Sequence, residues 1–256
     1  MPDHLHIEIA DKDLAILKNM KVADLIKQIK LYPIVTRKVV VICPKRPNHD
    51  EETEMYAIAN EFIGIANQEN WDVKPLIGND ASQANILDAL NNWNADWLVY
   101  FGHSLNTYIP GQSNNQLQFA ITPLNANVLS NRTASVTACS TLLNLGQAAV
   151  NSNCVAYLGY KGFFSLWWGG SVTQDFRSAT NAANVALLKG CLYKDAKQTG
   201  WDAWNAIWIN WSNLAASNPQ ISPLMTADML ANRDNLDFLG NPKAVARPIG
   251  IVVLNP

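Results

Sequence analysis

A chain of 256 residues with 48% hydrophobic and only 16% charged residues carries enough apolar material for a full core, which excludes an intrinsically disordered protein. Its formal net charge of -2 gives no electrostatic footprint for nucleic acid or an anionic membrane, so neither is expected as a partner. Cys43, Cys139, Cys154 and Cys191 never fall at a C-x-x-C spacing and His4, His6, His49 and His103 do not cluster, so no metal or other cofactor is expected.

Scattered cysteines in a chain this long suit free thiols in a reducing compartment. The segment Met1–Ile9 alternates apolar and polar residues and lacks the apolar run of a signal peptide, and no stretch reaches membrane-spanning length. The expected location is cytoplasmic.

Residues 1–37 read as an N-terminal extension: a strand over Leu5–Ile9, then an amphipathic helix over Asp13–Leu31 with Leu14, Leu17, Leu25 and Ile29 on one side. Residues 38–256 read as the main domain. Lys38–Cys43 is a β-branched run stopped by Pro44, the pattern of a parallel strand buried on both faces. Asp50, Glu51 and Glu52 suit the first turn of a helix whose Met55, Ile58, Ala59, Phe62 and Ala66 recur at helical spacing. A second strand over Trp71–Ile77, a helix over Ser82–Trp93 and a third strand over Asp96–Phe101 follow.

The Gly-, Asn- and Gln-rich segment Tyr108–Gln118 reads as an exposed loop, and Thr122-Pro123 as a helix start. Further strands are expected at Ala134–Ala138 and Asn153–Gly159, long helices at Ser171–Lys189 and Lys194–Leu214, and a last strand at Ile249–Leu254. Trp201, Trp204, Trp208 and Trp211 share one face of the second long helix and read as a core-facing stripe rather than a docking surface. Strands alternating with helices in this way predict an α/β fold with a mostly parallel sheet, whose ligands bind beyond the carboxyl ends of the strands.

Two strands end in residues that carry chemistry. Ser135-Val136-Thr137-Ala138-Cys139 leads toward the helical pattern Leu142–Ala149, and free N–H groups at a helix start favour a thiolate. Trp97–Phe101 ends in Gly102-His103, and an imidazole, which titrates near neutral pH, can take a thiol proton. A lone cysteine is ordinarily a buried small hydrophobe. Its pairing with His103, the one histidine that closes a core strand, makes Cys139 a nucleophile candidate. Gly102-His103-Ser104-Leu105-Asn106 resembles a hydrolase nucleophile elbow at Ser104, but that family places its histidine after the serine and none follows His103. A nucleotide-binding Rossmann reading fails at Pro44-Lys45-Arg46-Pro47, where the glycine fingerprint should stand.

A strand ending in Gly-His, followed by one ending in Ala-Cys with Ser and Thr after it, resembles the caspase-like cysteine peptidases, which include caspases, gingipains and separase. Val136-Thr137-Ala138-Cys139-Ser140-Thr141 is most similar to the bacterial CHAT domains. Leu187-Leu188-Lys189-Gly190 with Ala196, and Leu236–Pro242, resemble later motifs of the same family. The resemblance covers roughly residues 38–254 and implies a three-layer α/β/α sandwich.

It also implies a cysteine endopeptidase working through a Cys139–His103 dyad and a thioester acyl-enzyme on a protein or peptide substrate, regulated by an activating partner protein or ligand. The backbone N–H groups of Ser104 and Cys139 would form the oxyanion hole. Tyr160, Lys161, Trp167 and Trp168, with Asp175 beyond them, would surround the substrate pocket. The family has glycine where Ser104 stands, and serine resists a positive φ. Strain there would leave a catalytically silent caspase-like module acting as an interaction domain, which is the alternative reading.

Overall fold

The computed structural model describes residues 37–104 and 108–246, so the expected extension strand and helix and the strand at Ile249–Leu254 lie outside the described residues. In chain order the elements are β1 (Lys38–Cys43), α1 (Asp50–Gln68), β2 (Asp72–Ile77), α2 (Gln83–Asn91) and β3 (Trp97–Phe101). Then come β4 (Ile109–Ser113), β5 (Gln116–Ile121), a 3-10 segment (Pro123–Leu129), β6 (Thr133–Thr137), a π turn (Leu142–Gly146) and α3 (Gln147–Asn151). The series closes with β7 (Ala156–Tyr160), α4 (Val172–Leu188), α5 (Tyr193–Ser217), α6 (Pro223–Asn235) and β8 (Leu236–Gly240).

The central sheet runs β2-β1-β3-β6-β7-β8. All pairings are parallel except the last, where β8 lies antiparallel to β7. Alternation along the strands builds a core on each face. Val39, Val41, Trp97, Val99 and Phe101 face α1, α4, α5 and α6, while Val40, Ile42, Leu98 and Tyr100 face α2 and the β4–β5 hairpin. This is the expected α/β architecture with helices on both sides of a mostly parallel sheet.

The tryptophan stripe of α5 faces inward. Trp204 is fully buried and packs edge-on against Phe176, Trp201 and Trp208 each lie against the Arg233 guanidinium, and Trp211 Nε1 donates to Asp175. Gly200 sits on the same helix where a side chain would meet Leu236 Cδ2 at 2.6 Å and Ala183 Cβ at 2.9 Å, so α5 and α4 cross there at glycine distance.

Segment Tyr108–Gln118 departs from the expected exposed loop. Most of it is the β4–β5 hairpin, turned by Asn114 and Asn115, both at positive φ as such a two-residue turn requires. Its polar composition hides a buried inner side. The Gln112 side chain is fully buried, accepts from Lys45 N at 2.6 Å and donates to Lys45 O at 3.1 Å. Gly111 lies where a Cβ would meet Ala81 O at 2.5 Å. α6 and β8 are further elements that periodicity did not reveal.

Candidate active site

The sheet order brings the two candidate residues together. β3 and β6 are parallel neighbours, paired Phe101 with Thr137, and Gly102 N donates to Thr137 O at 3.2 Å. His103 and Cys139 therefore each stand two residues past the last pair of the register, at one carboxyl edge. Both line a cleft of about 110 Å³, together with Glu51, Met55, Gly102, Phe164, Leu166 and Trp168.

His103 is about half exposed, and its backbone is anchored by Tyr100 Oη, which donates to His103 O at 2.8 Å. Gly102 makes that anchor possible, since a Cβ there would meet Tyr100 Oη at 2.6 Å. His103 Nε2 lies 3.6 Å from Glu51 Oε1 and 3.6 Å from Glu52 Oε1. Glu52 is 1% exposed and is gripped by Arg46, whose Nε and Nη2 approach Oε1 at 2.7 and 2.5 Å while its backbone N donates to Oε2 at 2.5 Å. Glu51, on the cleft wall, is held below the usual carboxylate range chiefly by a backbone N–H in the first turn of α1; His49 and His103 add to this against a small burial penalty.

These two glutamates look in sequence like ordinary helix-start acids. Their proximity to His103 comes from β1 and β3 lying side by side, which delivers the start of α1 to the same edge. The acidic first turn of the helix that follows β1 is the one sequence signal that could have found them.

Cys139 is partly exposed and contacts the loop after β7. Phe164 N–H donates to its sulfur at 3.4 Å, and in the thiol form Sγ–H donates to Phe164 O at 3.6 Å. The other thiols differ. Burial, with Glu52 nearby, pushes Cys43 up to about 12, and burial does the same for Cys154. Cys191 is partly exposed but is not among the residues of the cleft.

The helical run expected after Cys139 begins at Leu142, but its first turn is a π segment. Ser140 and Thr141 turn into the π segment, with Gly146 N donating to Thr141 O at 2.8 Å, and the short α3 begins only at Gln147. The donor nearest the sulfur is a loop amide rather than a helix terminus. Backbone strain is also placed differently. Ser104 is not among the residues with positive φ; its Oγ donates to Tyr108 O at 2.9 Å. Ser140 carries the left-handed conformation instead, at φ 53°, and its N donates to Gly162 O at 2.7 Å.

Of the side chains expected around the substrate pocket, Trp168 lines the cleft, 45% exposed. The others are engaged elsewhere. Lys161 Nζ pairs with Asp237 at 3.1 Å, Trp167 Nε1 donates to Asp228 at 2.7 Å, and Asp175 accepts from Trp211 at 2.8 Å. Tyr160 is buried beneath the loop with its ring 4.8 Å from that of Phe164. Among the described residues no group of histidine, cysteine and carboxylate side chains could hold a metal ion, and no helix is long and apolar enough to cross a membrane.

No protein-family model matches the chain, and no curated protein does. Solved structures do. The Arg-specific cysteine proteinase gingipain R aligns over 86% of this chain and 51% of its own, with a TM-score of 0.53 and 13% identity. A complex of Porphyromonas gingivalis RgpB pro- and mature domains aligns over 82% and 48%, with a TM-score of 0.53 and 14% identity. A structure described only as a protease aligns over 84% and 49%, at 0.50 and 13%. The chain thus spans about half the length of these structures, and the likeness establishes a caspase-like fold of the gingipain kind.

Proposed function

We propose that the protein is a cysteine endopeptidase of the caspase-like superfamily, with Cys139 as nucleophile and His103 as base and acid. The observation that carries this reading is the pair of adjacent parallel strands ending in His103 and Cys139 at one cleft. Within the superfamily, the turn Val136–Thr141 keeps the CHAT domains as the nearest sequence likeness.

The chemistry follows the geometry. His103 takes the Cys139 proton, and the sulfur forms a bond to the scissile carbonyl carbon. Backbone N–H groups of Ser104 and Cys139 receive the oxyanion. The imidazolium then protonates the amine as the C–N bond breaks, leaving a thioester. Water, deprotonated by His103, releases the carboxylic acid and regenerates the thiol. Nε2 faces the two glutamates, so Nδ1 is left to serve the sulfur. Glu52, clamped by Arg46 and 3.6 Å from Nε2, stabilises the imidazolium by its charge. Among the described residues Glu51 is the one carboxylate on the cleft lining, which suits a basic side chain before the scissile bond.

The test is cleavage of fluorogenic peptides ending in Arg, Lys or Asp. Cys139→Ala and His103→Ala are each expected to abolish turnover, while Cys191→Ala leaves it intact. Full activity in Cys139→Ala would sink the proposal. The silent-module alternative rested on strain at Ser104, and the positive φ lies at Ser140 instead.

A further inference from the structure

The loop after β7 is fastened on two sides. Toward the nucleophile, Gly162 O accepts from Ser140 N at 2.7 Å and Phe164 N–H meets the Cys139 sulfur. Away from it, the loop is tied to one face of α6 through residues four and three apart, a spacing that aligns side chains on a helix. Asp228 accepts from Trp167 Nε1, and Asn235 Nδ2 donates to Phe163 O at 3.1 Å. Lys161 N donates to Asn235 O at 2.8 Å. Between them stands Asn232, fully buried, which grips Ser165 twice: Oδ1 accepts from Ser165 N at 3.0 Å and Nδ2 donates to Ser165 O at 2.8 Å.

Ser165 N belongs to the same peptide plane as Phe164 O, so holding one fixes the other. The Phe164 N–H lies in the peptide plane of Phe163 O, which Asn235 Nδ2 holds, and the Phe164 ring, packed on Tyr160 and Trp204, joins the two planes. Phe164 thereby presents two groups to one sulfur. Its carbonyl accepts from the thiol, and its N–H donates to the thiolate. Only the second contact strengthens when the sulfur ionises, because hydrogen bonds to charged groups are the stronger ones.

We propose that Asn235 and Asn232 are positioning residues for the nucleophile: Asn235 holds the peptide plane of the Phe164 N–H through Phe163 O, Asn232 holds the next plane through Ser165, and together they keep that N–H against the Cys139 sulfur and so sustain the thiolate. This rests on the reading of Cys139 as nucleophile. α6 is then part of the catalytic apparatus although none of its residues lines the cleft.

The test is alkylation of the full chain by iodoacetamide across a pH series, with Cys139 and Cys191 quantified from the same digests. In Asn232→Leu, which keeps the side-chain bulk and removes both hydrogen bonds, Cys139 alkylation at neutral pH should fall about tenfold relative to Cys191, the effect of losing one hydrogen bond to a charged atom. Its pH dependence should move to the alkaline side, while that of Cys191 stays in place. A purely structural role for Asn232 would lower the melting temperature without moving the Cys139 profile.

Asn235→Ala removes the tie to Phe163 O, the carbonyl of the plane that carries the Phe164 N–H, and serves if Asn232→Leu does not fold; a fall of about twofold to tenfold is expected. An unchanged Cys139 profile in a folded Asn232→Leu, or in Asn235→Ala when that variant decides, overturns the proposal. His103→Ala in the same assay reports on the nucleophile reading itself. Should Cys139 of the unaltered protein react no faster than Cys191, and His103→Ala change nothing, the functional reading falls, and this inference with it. Should both controls behave and Asn232→Leu match the unaltered protein, this inference alone falls.

Discussion

Glu52→Gln is the substitution that asks most of the site. The carboxylate is 1% exposed and accepts three times from Arg46, through backbone N, Nε and Nη2 at 2.5 to 2.7 Å, with His103 Nε2 at 3.6 Å. An amide of the same shape keeps one acceptor oxygen. Its NH2 must then face either the Arg46 guanidinium or the Arg46 backbone N–H, donor against donor. A hydrogen bond to a charged group contributes about 1.5–3 kcal/mol, and the 24% exposed Arg46 side chain can rehydrate, so the net cost should be about 2–3 kcal/mol. At roughly 2–4 °C per kcal/mol for a chain of this size, the melting temperature should fall about 5–10 °C. Turnover should fall further than stability explains, because the His103 imidazolium loses a negative charge 3.6 Å from Nε2: about tenfold to a hundredfold in kcat with little change in KM. Calorimetry and steady-state kinetics on the purified variant measure both. A Glu52→Gln protein that melts at the original temperature and turns over at the original rate would refute the whole chain from Arg46 to His103.

Three other outcomes follow from the packing and the buried thiols. Cys43 and Cys154 are raised from 9.0 to about 12 in the folded protein, so between those values the unfolded chain has lost protons that the native state still holds. Stability should be fully present below about pH 9 and fall above it by about 1.4 kcal/mol per pH unit for each thiol; urea unfolding at pH 8, 9 and 10 reads the slope, and a Cys43→Ala, Cys154→Ala double variant should flatten it. Gly111→Ala drives a methyl group into Ala81 O and should cost about 1–3 kcal/mol in denaturant unfolding, whereas the same change in an exposed loop would be nearly silent. Gly200→Ala should cost a similar amount by wedging α5 off α4, and a variant as stable as the original would mean that the helices do not cross this closely.

How much of this was legible depended on whether a signal was local. β1 and β3 were readable because strands buried on both faces need apolar side chains at every position, and the ends of β3 and β6 pointed to His103 and Cys139. The β4–β5 hairpin was hidden because Gln112 is satisfied by a backbone segment that arrives from Lys45, a partner no window of sequence contains. Glu51 and Glu52 obey the rule for helix starts so well that nothing marked them as more, and only strand order sets them against His103. α6 escaped because its inward face mixes Met225 and Met229 with Asn232, which is polar in sequence and fully buried in the fold.

The left-handed turns carry one more consequence. Among the described residues, the non-glycine positions with positive φ are Asn48, Asn70, Asn94, Asn114, Asn115, Asn131, Asn153 and Ser140. Asparagine tolerates that conformation better than other side chains, so the turns are already close to their conformational optimum. An engineer hunting for thermostability would find little slack in them. The place left to relax is Ser140, beside the candidate nucleophile, where Asn or Gly should raise the melting temperature by relieving about 1 kcal/mol of backbone strain. The gain would be drawn from the turn that aims Cys139, and selection for heat resistance and selection for turnover should therefore pull this single position in opposite directions.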